Sequence, residues 1–169
     1  MEKPRRPAQP SEHRTNAAFL LAQIGSHAAA RFAERLLAVG LAPPHAGILR
    51  ILGSSPGLTQ QALATRLQMV PSRLVALLDT LDTRGLVERR RNQDDRRSHA
   101  LHLTAEGRKM LATLGQIARE HQTSLLAALT EDERRMLHDL LERVAAQQGL
   151  PPNVHPGYSS LGSGAAGPR

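Results

Sequence analysis

The stretch from Leu74 to Gly107 constrains the fold of this 169-residue chain more than any other part. A helix that ends at Arg84–Gly85 is predicted, since glycine is well suited to stop a helix. Its apolar residues recur at helical spacing and are Leu74, Leu77, Leu78 and Leu81. Two short strand-like segments follow, and Thr104 can cap a helix after the second. The pattern therefore predicts a helix, a β-hairpin and a second helix in direct succession.

The remaining apolar residues predict helices almost throughout. Spacings of three and four indicate a long helix over about 14–39, stopped by Gly40. Pro44 can occupy the first position of a second helix, where a missing N–H costs nothing. Thr59 is a suitable N-cap for a short third helix, and Pro71 can start the leucine helix. The third and fourth helices, close together in sequence, form a helix-turn-helix candidate.

The ends of the chain differ from its middle. Thr130 and Glu133 match a capping box, which predicts a last helix after the one that Thr104 begins. Residues 1–12 and 149–169 are rich in proline or in glycine and serine, so we expect a disordered basic tail and a disordered C-terminal tail. Residues 13–148 are expected to form a single domain that is mainly α, with one small hairpin.

Composition narrows the class of protein. The formal net charge of +7 fits a polyanionic partner, although many basic proteins bind none. The absence of cysteine excludes disulfides, thiolate metal sites and thiol-based sensing. With two Phe, one Tyr and no Trp, the chain lacks the rings that stack on single-stranded nucleic acid. No apolar run reaches the roughly 18 residues of a membrane span and no secretory signal is visible, so a cytoplasmic location is expected.

The leucine helix carries a slim polar face opposite its leucines. That face consists of Ser72, Arg73, Ala76 and Thr80. Small and polar side chains near a helix N-terminus suit entry into the major groove, where Arg73 could address a guanine. An ordinary solvated helix face is the alternative interpretation of the same residues.

The predicted hairpin concentrates positive charge at its tip. Five arginines fall within nine residues, namely Arg89, Arg90, Arg91, Arg96 and Arg97, with Asp94 and Asp95 between them. Guanidinium groups fit phosphates and the negative potential of a narrow minor groove, and a nearby carboxylate can brace them. A solubilising surface turn would explain why the segment is charged. It would not explain why five arginines fall within nine residues directly after a helix-turn-helix.

Three motifs in this order resemble the signature of the MarR family of winged-helix transcriptional regulators. They are Leu81-Asp82-Thr83-Arg84-Gly85-Leu86-Val87-Glu88-Arg89, then Asp95-Arg96-Arg97, then Leu103-Thr104-Ala105-Glu106-Gly107. The match covers about 59–107. The resemblance implies a winged helix-turn-helix lobe over about 43–104. It also implies that long N- and C-terminal helices, over about 14–40 and 104–148, form a dimerisation region.

The resemblance further implies a homodimer that binds a pseudo-palindromic double-stranded DNA operator, usually as a repressor. Ser72 and Arg73 fall at the start of the family's recognition helix. Arg97 matches its minor-groove arginine, Asp95 the carboxylate that braces the wing, and Arg96 an auxiliary phosphate contact. Arg90 is included among the expected DNA contacts of the wing.

Family members often bind a small aromatic or anionic effector between the dimerisation region and the DNA-binding lobe. His27, Arg31, Arg35 and His45 could meet such a ligand, although each could also be an ordinary surface or packing residue. No cofactor or metal site is expected, because the eight histidines are mostly far apart. The motifs of enzymes are missing, so an enzyme is not expected. A winged helix that contacts protein or RNA remains the alternative function.

Overall fold

The structure, a computed structural model, describes residues 16–91, 99–152 and 154–155. Within these ranges the elements are α1 (Ala17–Leu37), α2 (Pro43–Ser54), β1 (Leu58–Thr59), α3 (Gln60–Arg66), α4 (Pro71–Thr83), β2 (Val87–Arg91), β3 (His99–Leu103), α5 (Ala105–Leu125) and α6 (Glu131–Gln147). The predicted class, mainly α with a small hairpin, is confirmed. None of the described helices combines the length and apolar character that crossing a bilayer requires.

Side-chain caps fix where the helices begin. The Thr59 hydroxyl accepts a hydrogen bond from the Ala62 N–H at 3.2 Å, and the Thr104 hydroxyl accepts one from the Gly107 N–H at 2.9 Å. At Thr130 the predicted capping box is present. These three caps confirm the prediction. They could be predicted from the sequence because a cap depends only on residues within one turn of each other. The start of α2 differs from the prediction: Pro43, not Pro44, holds the first position.

The sheet has three antiparallel strands in the order β1-β3-β2. The predicted hairpin is confirmed as β2 and β3, in which Val87 faces Leu103 and Arg91 faces His99. Its first strand begins at Val87 rather than Leu86. Strand β1, a two-residue strand that pairs Leu58 with Leu101, was not predicted from the sequence.

The core lies where the helix-turn-helix, the sheet and the start of α5 meet. Its fully buried side chains are aliphatic and are Leu36, Leu41, Ile48, Leu49, Leu52, Leu63, Leu67, Leu74, Leu78, Leu81, Val87 and Leu101. Three of the four predicted leucines of α4 belong to this group, and Leu77 packs against it. The helix is therefore held on its leucine side, and its opposite side is left to solvent.

The segment predicted to be a disordered C-terminal tail begins directly after α6, and the structure describes only its first residues. Gly149 adopts a φ of +67°, and the Leu150 N–H donates to the Ala145 carbonyl at 3.0 Å. This left-handed turn ends the helix and reverses the chain. Val154 then packs against the hydrophobic core. Within the described part of this segment, the glycine turn directs one apolar side chain back to the core.

Candidate nucleic-acid interface

The turn before α4 sets the direction in which the helix begins. Gln68 has a φ of +51°, and Met69 is buried just beyond it. The chain then enters α4 at Pro71, which needs no N–H partner at that position. With the leucine face buried, the first two turns of α4 project their other side chains away from the core.

The structure brings the four predicted recognition residues to this outer face. Ser72, Ala76 and Thr80 are exposed, and Arg73 is half-buried beside them. The Thr80 hydroxyl donates to the Ala76 carbonyl at 3.0 Å, which leaves its oxygen available as an acceptor. The face is slim and carries hydrogen-bonding groups near the helix N-terminus, as a helix in the major groove requires.

The hairpin lies beside α4, and carboxylates hold two of its arginines. The Arg89 guanidinium donates to the Asp79 carboxylate of α4. Arg90 donates to Glu88 on its own strand, at 3.1 Å from Nε and 2.6 Å from Nη2. Both arginines are therefore oriented before any ligand arrives. The other predicted hairpin residues, Asp95, Arg96 and Arg97, lie outside the described residues.

The Asp79–Arg89 pair is a feature of this surface that was not predicted from the sequence. Asp79 was assigned no role, and the predicted brace was Asp95. A signal was nonetheless present: the carboxylate lies about one turn before the helix end and the arginine lies early in the next strand. Since Gly85 (φ +65°) folds the strand back past the helix, residues at those two positions meet.

Arg84, the C-cap residue of α4, links that helix to the end of α1. Its Nη2 donates to the Val39 carbonyl at 3.0 Å, and its Nη1 donates to the Gly40 carbonyl. Carbonyls just past a helix end lack helical partners and attract a cation. The guanidinium therefore joins the loop after α1 to the junction between α4 and the hairpin.

His45, a predicted effector residue, lies beside this link. Its Nδ1 accepts a hydrogen bond from the Ala42 N–H at 3.1 Å, which stabilises the start of α2. Its Nε2 is buried and has no hydrogen-bond partner among the described residues. Burial, and secondarily the charge of Arg84, lowers the pKa of His45. The neutral imidazole, with its proton on Nε2, is the form that suits this environment.

The other three predicted effector residues gather around His121 of α5. Burial lowers the pKa of His121, and the positive charges of Arg35 and Arg31, followed by His27, lower it further. The His121 ring lies 5.4 Å from the Phe32 ring, between centroids. Arg31 is also paired with Glu34 at 2.7 Å. The structure thus groups three of the four predicted residues, whereas His45 lies with Arg84.

Two helices expose apolar side chains on the described chain. On α1 these are Phe19, Leu20, Leu21 and Ile24, and on α6 they are Met136, Leu140, Leu141 and Val144. Each is at least 40% exposed. Large apolar side chains exposed together on a helix are a feature of protein interfaces.

The helix pair, the three-stranded sheet and the arginine-bearing hairpin define a winged helix-turn-helix protein. A model of the MarR family matches residues 39–98. A protein of Thauera aromatica, named as a transcriptional regulator for the hcr operon, is 34% identical over 116 residues, which are 68% of this chain and 70% of the relative. The chain therefore belongs to the MarR family and is a winged-helix transcriptional regulator.

Solved structures agree with this assignment. The transcriptional repressor CouR, bound to a 23-mer DNA duplex, is 34% identical and superposes with a TM-score of 0.68, over 77% of this chain and 92% of that one. A MarR family protein of Mycobacterium tuberculosis, in complex with p-aminosalicylic acid, is 27% identical with a TM-score of 0.63, over 78% of this chain and 99% of that one.

Proposed function

We propose that the chain is a homodimeric repressor that binds a pseudo-palindromic duplex DNA operator and is released by a small aromatic or anionic effector. The observation that carries the proposal is that the exposed face of α4 and the arginine-bearing hairpin lie side by side. The Asp79–Arg89 pair joins α4 to the arginine-bearing strand, so one lobe offers a helix and a basic hairpin together. Such a lobe fits two adjacent grooves of a duplex.

The helix supplies the proposed major-groove contacts. Ser72, Arg73, Ala76 and Thr80 lie on the outer side of α4, with Ser72 in its first turn. A bidentate arginine–guanine contact contributes about 1–3 kcal/mol of discrimination, so Arg73 is assigned to a base edge. The small side chains of Ser72 and Ala76 let the helix approach closely, and the Thr80 oxygen can accept from a base or contact the backbone.

The hairpin supplies the proposed backbone and minor-groove contacts. Arg90, whose side chain is 60% exposed, is assigned to a phosphate. To bind it, Arg90 must give up its ion pair with Glu88. Arg96 is assigned to a second phosphate and Arg97 to the minor groove, with Asp95 as the brace of the wing. The family resemblance supports these last three assignments, as does the DNA-bound state of CouR, a 34% identical relative.

The proposed dimer uses the apolar surfaces of α1 and α6. Helices over about 14–40 and 104–148 are assigned to dimerisation, and residues 43–104 to the DNA-binding lobe. Eight large apolar side chains exposed on one chain favour burial against a second copy. Two lobes would read half-sites about one helical turn apart, which multiplies the discrimination that one lobe supplies.

The proposed effector is a small aromatic or anionic molecule, and the protein is proposed to act in the cytoplasm. Arg35, Arg31 and His27 lie close enough to His121 to lower its pKa, so positive charge gathers where α1 meets α5. The relative in complex with p-aminosalicylic acid, an aromatic acid, supports this class of ligand. His45 is retained as a candidate because its buried Nε2 is a donor without a described partner.

Genome-wide footprinting first identifies a promoter that the protein occupies. Fluorescence anisotropy with a duplex from that promoter then tests the proposal. Binding should weaken steeply with salt, with a log–log slope of about −0.9 for each phosphate neutralised. Arg97→Ala should weaken operator binding and leave the dimer intact. Equal affinity of the wild type and Arg97→Ala would contradict the wing assignment. Binding to RNA or protein, without duplex binding, would contradict the proposed function.

A further inference from the structure

The N-cap residue of α4 is a valine, which is an unfavourable residue at this position. Helices α1, α3, α5 and α6 begin after residues whose side chains accept a hydrogen bond from the first turn, namely Asn16, Thr59, Thr104 and Thr130. Val70 makes no such bond. Serine, threonine, asparagine and aspartate are strongly preferred over valine as N-caps. The start of α4 is therefore less stable than a polar cap would make it.

The backbone of Val70 does not require a valine. Its φ of −64° and ψ of 137° are close to the −70° and 157° of Thr59, which does cap its helix. The proline that follows favours this extended conformation for whichever residue precedes it. A threonine at this position would therefore fit the same backbone and cap the helix as well.

Packing does not explain the valine either. Val70 is 63% exposed, whereas Met69 beside it is 5% exposed and belongs to the hydrophobic core. Apolar surface that stays in water contributes little to folding. Val70 is thus neither a helix cap nor a core residue, and most of its surface is open to a ligand.

Val70 lies at the end of α4 that carries Ser72 and Arg73, and the N-terminal residues of a recognition helix contact base edges. In the major groove every base pair presents hydrogen-bonding groups, but of the four bases only thymine presents an apolar group, its C5 methyl. A valine side chain has two methyl groups and no polar atom. The thymine methyl is therefore the base feature that Val70 is suited to recognise.

We infer that Val70 is a specificity-determining residue that contacts the C5 methyl of one thymine in each half-site of the operator. The inference deepens the proposed function, because it rests on the entry of α4 into the major groove. It adds an apolar contact to the polar contacts assigned to Ser72 and Arg73. The preference for thymine replaces the stability that a polar N-cap would give to α4.

Replacement of thymidine by 2′-deoxyuridine tests this contact, since the two nucleosides differ only in the C5 methyl. Each thymine of the operator duplex is replaced in turn, at matching positions of both half-sites. Fluorescence anisotropy then gives the affinity of the full-length protein. At one pair of positions the wild type should bind about fifteenfold more weakly, or about fourfold for each methyl, because burial of one such group contributes about 0.8 kcal/mol.

Val70→Ala should bind the thymine and deoxyuridine duplexes equally at that pair of positions, because the methyl no longer has a partner. Val70→Ser should show the same loss of preference. It should also raise the folded-to-unfolded ratio about fivefold in urea denaturation, because serine can cap α4. This combination separates the inference from a structural role, in which the loss of the valine would lower stability.

The matched control is Val75→Ser, which makes the same change at another exposed valine of α4. Val75 lies inside the helix, where a serine cannot act as its N-cap. This variant should keep the weakening that deoxyuridine causes at the positions assigned to Val70, and it should not gain stability.

Three results would overturn the inference: no thymine whose methyl affects binding, the same deoxyuridine effect in Val70→Ala as in the wild type, or a lower stability of Val70→Ser. The same titrations include a scrambled duplex. Preference of the wild type for the operator, without a thymine that depends on Val70, contradicts this contact alone. Equal affinity of the wild type for both duplexes contradicts the proposed function and this contact with it.

Discussion

The Arg89 guanidinium of the hairpin is hydrogen-bonded to the Asp79 carboxylate of α4. Both side chains are partly exposed, at 35% and 56%, so the pair contributes little to the free energy of unfolding. The pair instead influences how the first hairpin strand is oriented relative to the helix, because it links a side chain of each. These are the two elements that we propose to enter different grooves of the DNA.

Asp79→Asn should reduce the preference for the operator over a scrambled duplex by about two- to fivefold, since an exposed ion pair contributes up to about 1 kcal/mol. Affinity for the scrambled duplex should rise or stay constant, because the change removes a negative charge close to DNA. Anisotropy titrations with both duplexes measure the ratio. Asp82→Asn, which makes the same change in charge three residues later, is the control. Equal ratios in the two variants would contradict the positioning role.

Gly107→Ala should destabilise the fold by about 1–3 kcal/mol or more. A Cβ at Gly107 would lie 1.9 Å from the Leu86 carbonyl oxygen, so helix α5 or the strand must move. Gly115→Ala, on the same helix, is the control, because its Cβ would meet only Arg119 Nη1 at 3.4 Å. That variant should be stabilised by about 0.5–1 kcal/mol. Urea denaturation of both variants checks the prediction, which fails if the two changes have the same sign.

Stability should fall as the pH drops below about 6.5, in part through His45. Burial and Arg84 lower the pKa of folded His45 from 6.5, so the unfolded chain takes up the proton at higher pH than the folded chain. The stability that the neutral imidazole contributes is present above the unfolded pKa and is lost as the pH falls towards the folded pKa. Urea denaturation at a series of pH values measures this loss.

His45→Gln should reduce the pH dependence and preserve the start of α2, because a glutamine oxygen can also accept the Ala42 N–H. His121→Gln tests the second histidine whose pKa is lowered, and its effect should have the same direction. An unchanged pH profile in His45→Gln would show that the imidazole titrates alike in the folded and unfolded states.

Leu141→Asp should convert the proposed dimer to a monomer, because a carboxylate would have to be buried without a partner in the apolar interface. Val75→Asp is the control: Val75 is 37% exposed, close to the 40% of Leu141, but lies on α4 in the proposed DNA-binding lobe. Light scattering of both variants gives the mass in solution. A dimeric Leu141→Asp would place the interface elsewhere.

Local features of the sequence were sufficient to predict most of the helices. The caps at Thr59, Thr104 and Thr130 depend on residues within one turn, and the leucines of α4 depend on helical periodicity. Strand β1 could not be predicted this way, since two residues cannot show alternation. It exists because Leu58 and Thr59 meet the edge of β3.

Contacts between distant residues account for what the sequence analysis missed. Arg84 is 45 residues from Val39, and their hydrogen bond depends on how α1, α2 and α4 pack. The contact of Val154 with the core likewise joins residues far apart in the sequence, which composition alone does not reveal. The predicted DNA contacts, including Arg97, and the domain boundaries stay predictions.

The hydrogen bonds from Arg84 anchor the C-terminal end of α4 to the loop after α1. The helix extends over Pro71–Thr83, so its N-terminal end lies about 18 Å from that anchor at 1.5 Å per residue. A rotation of about 10° about the anchored end would carry the N-terminal end through about 3 Å, which is the length of a hydrogen bond. A displacement of that size would be sufficient to break the contacts that we propose between Ser72 and Arg73 and a base edge.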